Sequence, residues 1–305
     1  MNNKVLISVV GPTAIGKTAM GIHIANFFNT EIISADSRQF FKEMSIGTAV
    51  PSAEELAAAK HHFIQHISIE DQYSVGDFEK QAMTKINKLF QDHDILVMVG
   101  GSGLYVKSIT EGLDDFPEIK PEIRQNLNEL FEKEGLQKLQ DKLKNLDPAY
   151  FSKADIENPH RVIRALEICL GTGKTFSSFL NQKKNTRNFN IIEIGLTADR
   201  QIIYDRINLR VDLMMQAGLL EEASQLYSKK HLNALNTVGY KELFSYLDHE
   251  IDLDFAVSEI KKNTRRFAKR QLTWFRKNQK IHWFDYKTKP EKVNQFISEE
   301  IKTLK

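Results

Sequence analysis

The stretch Gly11-Pro12-Thr13-Ala14-Ile15-Gly16-Lys17-Thr18 has the residue types and the spacing of a phosphate-binding loop, G-x-x-x-x-G-K-[ST]. Backbone N–H groups in such a loop point inward, and the helix that follows adds positive potential at its N-terminus. Lys17 supplies a point charge, and the Thr18 hydroxyl can ligate Mg²⁺. The loop therefore predicts binding of a diphosphate or a polyphosphate, and it leaves open what happens to that group.

Asp36 is the carboxylate that the sequence places nearest to this loop. It follows a short apolar run, Glu31-Ile32-Ile33-Ser34-Ala35, which we interpret as a strand. A carboxylate at that position can accept a hydrogen bond from a substrate or act as a general base. The alternative is that Asp36 only caps the helix that follows.

Arg206 and Arg210 are four residues apart in a segment with helical spacing, so they lie on one helical face. Two guanidinium groups on one face are suited to clamping a diphosphate. The alternative is a pair of surface ion pairs with Asp205 or Asp212.

Residues 261–280 concentrate positive charge, with nine Lys or Arg and no Asp or Glu. Phe267, Gln271 and Trp274 share one helical face within this segment. The segment is either a solvated basic helix with an aromatic core stripe, or a helix that binds a nucleic-acid backbone. Because the net charge of the whole chain is only +2, such clustering favours the second interpretation.

The elements that must position these residues alternate between strand and helix up to about residue 112. This alternation predicts a parallel sheet covered by helices, with ligands beyond the carboxyl ends of the strands. Gly11, Asp36 and Gly100 should therefore converge. Residues 114–188 have helical spacing without a clear strand, and 189–196 return as a strand. We predict an α/β fold with a P-loop NTPase-like parallel sheet core (1–113 and 189–305), a helical insertion domain (114–188) and a mostly helical C-terminal region.

Composition excludes several other classes of protein. The chain has a single cysteine, Cys169, within an apolar helical run, so disulfide frameworks and cysteine-based zinc modules are excluded. His61, His62 and His66 have no accompanying carboxylate or cysteine set, which favours structural roles. The second glycine-rich stretch, 171–175, lacks the first glycine of a phosphate loop and is interpreted as a helix end. No secretory signal or membrane-length apolar run occurs, and we expect a cytoplasmic monomer with no membrane contact.

Six segments taken in order resemble the bacterial tRNA isopentenyltransferase family over nearly the whole chain. Gly11 to Thr18 resembles the GPTAxGKT loop, and 34–39 with 46–49 resemble the second motif. Val99 to Tyr105 is similar to the GGTGLY motif, with Ser102 where the family often has threonine. The segment 158–167 resembles the insertion-domain motif, and 238–242 and 264–276 resemble two C-terminal signatures.

The resemblance implies transfer of a dimethylallyl group from dimethylallyl diphosphate to the exocyclic amine of the adenosine 3′ to the anticodon, with Mg²⁺ as cofactor. Asp36 would be the base, and Lys17, Ser102 and Arg210 would assist catalysis. The diphosphate would be held by residues 11–18, Arg206 and Arg210, with Mg²⁺ at Thr18. The tRNA anticodon stem-loop would be contacted by a larger set, namely Asp36, Ser37, Arg38, Gln39, Ser102, Arg124, His160, Arg161, Val162, Ile163, Arg164, Lys241, Arg265 and Arg266.

Two other functions are compatible with a phosphate loop. One is an ATP-dependent small-molecule or nucleotide kinase. The segment Gly100-Gly101-Ser102, which ends a strand without a Walker-type acidic residue, disfavours a kinase, as does the basic aromatic helix. The other is a GTP-driven RNA-binding switch, which is disfavoured because no Asn-Lys-x-Asp signature occurs.

Overall fold

The first apolar run forms a strand whose six residues are all buried, and this strand lies in the interior of the sheet. The structure is a computed structural model that describes residues 3–180 and 187–304. Within these residues, six parallel strands form one sheet in the order β3-β2-β4-β1-β5-β6. The strands are β1 (Val5–Val10), β2 (Ile32–Ser34), β3 (His61–His62), β4 (Ile95–Val99), β5 (Asn190–Thr197) and β6 (His282–Asp285).

Helices follow most of the strands, as parallel connections require. Their bounds are α1 (Lys17–Phe27), α2 (Ala53–Ala58), α3 (Val75–Leu89), α4 (Gly103–Thr110), α5 (Pro121–Leu146), α6 (Pro148–Phe151), α7 (Pro159–Thr172), α8 (Arg200–Gln216), α9 (Leu219–Leu226), α10 (Tyr240–Leu247), α11 (Leu253–Phe275) and α12 (Pro290–Thr303). The predicted α/β class with a parallel sheet is confirmed.

Both faces of the sheet are covered, because alternate residues of β1 point to opposite sides. On one side Ile7 and its neighbours contact buried residues of α1, α8, α11 and α12. On the other side Leu6 contacts buried residues of α3 and α4. A further cluster joins α8, α9, α10 and the first half of α11 around Tyr240. Each fully buried Leu or Ile stabilises the fold by roughly 1.5–3 kcal/mol, so these clusters make the sheet a rigid base for its loops.

The chain divides into two compact units, Met1–Glu111 with Arg187–Lys305 and Gly112–Thr186. The second unit contains α5, α6 and α7, with α5 interrupted at Gly135, where φ is 77°. The side chain of Asn158 caps the start of α7, and Gly173 ends it in the left-handed conformation. The interpretation of 171–175 as a helix end is therefore confirmed.

Two edge strands are not recognisable in the sequence. β3 has only two residues, and β6 has exposed residues at both of its ends. Neither is a continuous apolar run, because an edge strand pairs on one side only and is covered less completely. β6 pairs with β5 and follows the basic segment directly.

Candidate active site

The phosphate loop lies between β1 and α1, and its glycines are required for different reasons. Gly11 has φ 147°, and a Cβ there would lie 2.6 Å from the Leu196 carbonyl oxygen. Gly16 has φ 105° and immediately precedes α1. The first turn of α1 contains no acidic residue, so its free N–H groups and its dipole present an uncompensated positive end. Loop and helix together form an anion-binding cradle.

Lys17, the first residue of α1, is half-buried, and its Nζ donates a hydrogen bond to the Pro12 carbonyl at 2.9 Å. The pKa of Lys17 is lowered to about 8, chiefly by burial; Asp36 partly opposes this shift and nearby Arg210 adds to it. The ammonium group is therefore charged at neutral pH and close to its titration range. An anion bound in the loop would restore the pKa of Lys17 toward its ordinary value.

Arg206 and Arg210 both face the phosphate loop from α8. The Nε of Arg206 donates to the Ala14 carbonyl at 2.7 Å, and an Nη of Arg210 donates to the Thr13 hydroxyl at 3.4 Å. The Arg206 guanidinium also lies 5.2 Å from the ring centre of Tyr286. Burial lowers the pKa of Arg210, whereas Asp36 raises it.

The acidic neighbours of these arginines have other partners. Asp205 accepts a hydrogen bond from Gln201, and Asp212 forms an ion pair with Lys261 at 2.6 Å. The structure therefore shows no ion pair of Arg206 or Arg210 with these carboxylates among its described residues. The geometry agrees instead with two guanidinium groups directed at the phosphate loop.

Asp36 lies where the carboxyl ends of β1, β2 and β4 meet. The Ala35 N–H donates to the Val99 carbonyl at 2.8 Å, and the Gly100 N–H donates to the Val9 carbonyl at 3.1 Å. Asp36 accepts one hydrogen bond from the Arg38 N–H at 3.2 Å. This bond caps a turn rather than a helix, because the next helix in the chain is α2. The Asp36 carboxylate retains acceptor capacity toward the cavity that it lines.

Ser102, which follows the end of β4, is hydrogen-bonded to Ser37 in the second motif (34–39). Its hydroxyl accepts a hydrogen bond from the Ser37 N–H at 3.0 Å and lies 3.1 Å from the Ser37 hydroxyl. It occupies the N-cap position of α4 without making a capping hydrogen bond. Both serines line the same cavity as Asp36.

Two cavities meet at these residues. The first, of about 420 Å³, is lined by part of the phosphate loop, including Lys17 and Thr18, and by Arg206. The second, of about 600 Å³, extends along α11. They share five lining residues: Thr13, Asp36, Thr48, Ala49 and Arg210. An anion in the first cavity and a group in the second can therefore approach each other beside Asp36.

The second cavity combines aromatic and basic side chains. Phe267 and Trp274 line it and are 38% and 41% exposed, so they do not form a core stripe. Between them Gln271 is buried. Arg38, Lys241 and Arg270 also line this cavity, and Arg38 donates to the Ala234 carbonyl at 2.9 Å. Planar apolar rings beside guanidinium groups are suited to binding unstacked bases.

The structure distributes the basic residues of α11 differently from the sequence expectation. Arg265 donates to the Asn208 side chain at 2.7 Å and lies over the Tyr204 ring, so it is held against α8. Arg266 is exposed and shares an open groove with Arg270 and other residues, namely Lys269, Thr273, Trp274 and Lys277. Arg270, Phe267, Trp274 and Gln271 line the second cavity; the sequence places the last three on one helical face but assigns none of the four to the site. The only signal for them was their spacing on one basic helix.

The second unit contains the other predicted tRNA contacts. Arg124 and Arg164 both pair with the buried carboxylate of Glu167, at 3.1 and 2.9 Å. His160 and Arg161 are exposed at the start of α7.

Two members of the same motif, Val162 and Ile163, are 1% and 3% exposed in the core of the second unit. Since their side chains are covered, direct contact with another molecule is not open to them. Their burial therefore argues against the expectation that Val162 and Ile163 contact tRNA directly.

Within residues 3–180 and 187–304, no three His, Cys, Asp or Glu side chains form a metal-binding set. His62 pairs with Glu31, and the ring of His66 lies among Phe40, Phe63 and Tyr73. In the same part of the chain, no helix combines the length and the apolar character that a membrane crossing needs.

Fold and site together define a P-loop-like α/β protein with a cavity suited to a diphosphate and a second, larger cavity, both lined by the same carboxylate, Asp36. A profile of the family described as IPP transferase matches residues 39–278. The chain belongs to this family, which makes it a prenyl-transferring enzyme rather than a kinase.

Relatives and solved structures agree. The chain is 66% identical to a tRNA dimethylallyltransferase of Christiangramia forsetii, over 98% of the chain and 99% of the relative. It is 58% identical to the tRNA dimethylallyltransferase of Flavobacterium johnsoniae, over 98% of the chain and 99% of the relative. A full-length tRNA isopentenylpyrophosphate transferase from Bacillus halodurans superimposes with TM-score 0.73 at 36% identity, covering 98% and 97%. A eukaryotic dimethylallyltransferase acting on tRNA gives TM-score 0.80 at 25% identity, covering 97% of this chain and 80% of that one.

Proposed function

We propose that this enzyme transfers a dimethylallyl group from dimethylallyl diphosphate to the exocyclic amine of the adenosine 3′-adjacent to the anticodon of tRNA. The observation that carries the proposal is the position of Asp36, where the anion-binding cavity meets the aromatic and basic one. The new bond joins the amine nitrogen to the allylic carbon. The carbon–oxygen bond breaks, and its electron pair leaves with the diphosphate.

The phosphate loop in this proposal binds a leaving group. Negative charge develops on the diphosphate oxygens as the bond to carbon breaks. Lys17 and the two arginines of α8 already line this cavity at the N-terminus of α1, so little reorganisation is needed when the charge develops. Because the charge on these oxygens grows as the bond breaks, these contacts strengthen toward the transition state, which is the condition for raising kcat.

The residues present fit an Mg²⁺ ion. The Thr18 hydroxyl lines the first cavity, and the carboxylates of Asp36 and Glu55 line it too. Mg²⁺ is commonly held by one or two carboxylates together with substrate phosphate oxygens. Thr18 would hold the ion, and the ion would supply further charge neutralisation to the diphosphate.

Asp36 orients the amine and receives its proton. The lone pair of an adenine amine is delocalised into the ring, so the amine is a weak nucleophile and its position matters. A hydrogen bond to Asp36 directs the amine at the allylic carbon, and alignment of two bound reactants contributes up to about 7–11 kcal/mol. The hydroxyl of Ser102, hydrogen-bonded to Ser37, lies on the side where the adenosine would bind and assists in positioning it.

The tRNA is bound through its backbone and through an unstacked base. Extruding a loop nucleotide costs a few kcal/mol, less than extrusion from a duplex. Stacking on Phe267 or Trp274 and charge contacts with Arg38, Lys241 and Arg270 offset this cost. Arg266 on α11 is a further proposed contact. In the second unit, taken by itself, the proposed contacts are His160, Arg161, Arg164 and Arg124. A tRNA substrate implies action in the cytoplasm, and the enzyme is proposed to act as a monomer.

The test is transfer of label from carbon-labelled dimethylallyl diphosphate to a tRNA transcript in the presence of Mg²⁺. The matched control is the same transcript with guanosine in place of the target adenosine. We expect label in the first RNA and none in the second, with stoichiometric release of diphosphate. Consumption of γ-labelled ATP without prenyl transfer would contradict the proposal.

A further inference from the structure

The loop of residues 45–50 forms a wall that both cavities share. Thr48 and Ala49 line both of them, Gly47 lines the second and Val50 the first. The carbonyls of Thr48 and Ala49 accept hydrogen bonds from the Gln39 side chain at 3.4 and 2.8 Å. The position of this loop therefore sets the width of the junction beside Asp36.

One carboxylate holds this loop from the side away from the cavities. Oε2 of Glu222, on α9, accepts hydrogen bonds from the N–H groups of Ser45 and Ile46 at 3.0 and 2.8 Å. Oε1 accepts from the Gly47 N–H at 2.9 Å and from the Tyr240 hydroxyl at 2.6 Å. Charge-assisted hydrogen bonds of this kind are about twice as strong as neutral ones. Four converging donors leave the loop little freedom.

The ring of Tyr240 further restricts the position of the 45–50 loop. Its ring is fully buried, and a Cβ at Gly47 would lie 2.6 Å from two ring carbons. Burial raises the pKa of Tyr240, and the Glu222 carboxylate raises it further, so the hydroxyl remains a donor. Loop, tyrosine and carboxylate thus fit one another in a single position.

We propose that Glu222 is a positioning residue for prenyl transfer, because it fixes the 45–50 loop so that donor and acceptor align beside Asp36. This inference rests on the proposed function. Glu222 does not belong to the described lining of either cavity, so its effect passes through the loop. Misplacement by about 1 Å at a distance from the chemistry can reduce the rate by about a hundredfold.

Glu222→Gln tests the carboxylate with almost no change in shape. A glutamine has one acceptor oxygen and one NH₂ group. If the glutamine oxygen accepts from the N–H groups of Ser45 and Ile46, its NH₂ group faces the Gly47 N–H. If the side-chain amide is flipped, the NH₂ group faces the N–H groups of Ser45 and Ile46. Either orientation brings donor against donor, so the loop must shift. Gly47→Ala displaces the same loop independently by contact with the Tyr240 ring.

The experiment measures kcat/KM for the donor and for tRNA, along with thermal unfolding, in wild type, E222Q, G47A and E221Q. Glu221 is the exposed neighbour on the same helix and serves as the matched control. We expect E222Q and G47A to unfold cooperatively and to lose about ten- to a hundredfold in kcat/KM for both substrates. E221Q should equal wild type.

The outcomes separate the inference from the function on which it rests. If wild type transfers no label, the proposed function fails. If wild type is active and E222Q keeps both kcat/KM values while only its unfolding temperature falls, Glu222 is merely structural and the inference is overturned. A loss confined to one substrate also overturns it, because the loop would then not act as the shared wall.

Discussion

The side chain of Gln271, in α11, is hydrogen-bonded to the backbone N–H of Thr13 in the phosphate loop at 2.9 Å. Its amide nitrogen donates at the same time to the Gly101 carbonyl, also at 2.9 Å. Gln271 is 6% exposed; its bond to Gly101 is buried and its bond to Thr13 is partly buried. The helix that carries the exposed basic residues therefore also holds together the phosphate loop and the end of β4.

Gln271→Met should show what this link contributes to stability. Methionine has a similar length but leaves the Thr13 N–H and the Gly101 carbonyl without their partner. An unsatisfied buried polar group costs about 1–3 kcal/mol, so we expect a loss of that order in the free energy of unfolding, measured by urea titration. Gln279→Met, at an exposed position, is the control and should have no effect.

Gln271→Glu should separate stability from donor binding. A carboxylate still accepts from Thr13 but opposes the Gly101 carbonyl and adds negative charge beside the diphosphate site. We expect KM for the donor to rise more than KM for tRNA, measured by steady-state transfer. Equal changes in both constants would mean that Gln271 acts on the whole fold rather than on the phosphate loop.

Asp36→Asn should test the role of Asp36 as a base. The substitution keeps the shape and the acceptor oxygen for the Arg38 N–H, but it removes the base. Loss of a general base typically reduces turnover by about 10²–10⁴-fold, so we expect kcat to fall in that range while tRNA affinity is retained. Single-turnover transfer and filter binding measure the two quantities. Turnover within threefold of wild type would remove Asp36 from this role.

The pH dependence of donor binding should report on Lys17. Its pKa is lowered to about 8 by burial, and the charged form, which attracts the diphosphate, is the form present below that pH. We therefore expect kcat/KM for the donor to fall as pH rises through about 8. Bound diphosphate raises the pKa of Lys17, so the fall in kcat should come at higher pH.

Two variants check the assignment to Lys17. Lys17→Arg keeps its charge at every pH tested, so its profile should be flat at a lower overall level. Asp36 raises the pKa of Lys17, and Asp36→Asn should therefore move the midpoint of donor binding, measured by calorimetry, to lower pH. A wild-type profile that is flat from pH 7 to 10 would show that Lys17 does not titrate in this range.

Local sequence predicts the parts of the site that depend on neighbouring residues. The phosphate loop, the strand end at Asp36 and the shared face of Arg206 and Arg210 are each defined by short spacing, and the structure places them together. Gln271 and Glu222 could not be found in this way, because their partners are distant in sequence. Gln271 lies 258 positions from Thr13, and only the folded sheet brings them into contact.

The burial of individual side chains is harder to predict from the sequence than the positions of the helices and strands. An aromatic stripe on a basic helix is compatible with a core face or with a binding face, and only the exposure of Phe267 and Trp274 distinguishes the two. Val162 and Ile163 came from a motif as a whole, although apolar residues within an amphipathic helix usually face its core. Burial depends on tertiary packing, which the motif does not encode.

The contrast between Arg265 and Arg270 provides the sharpest test of the proposed RNA surface, because the two arginines lie on the same helix with different partners. Arg270 lines the second cavity, whereas Arg265 is bonded to Asn208 and lies over the ring of Tyr204. Removing a phosphate contact reduces the slope of log affinity against log salt by about 1. We therefore expect Arg270→Gln to weaken tRNA binding and flatten that slope. Arg265→Gln should lower thermal stability and leave the slope unchanged.

The measurement is tRNA affinity by filter binding over a series of salt concentrations, with thermal unfolding of each variant. Trp274→Ala is a useful third variant, because loss of base stacking should cost about 1–3 kcal/mol of binding without changing the charge or the slope. If Arg265→Gln and Arg270→Gln flatten the slope equally, both arginines contact RNA. In that case Arg265 must exchange its contacts on α8 for a phosphate when tRNA binds.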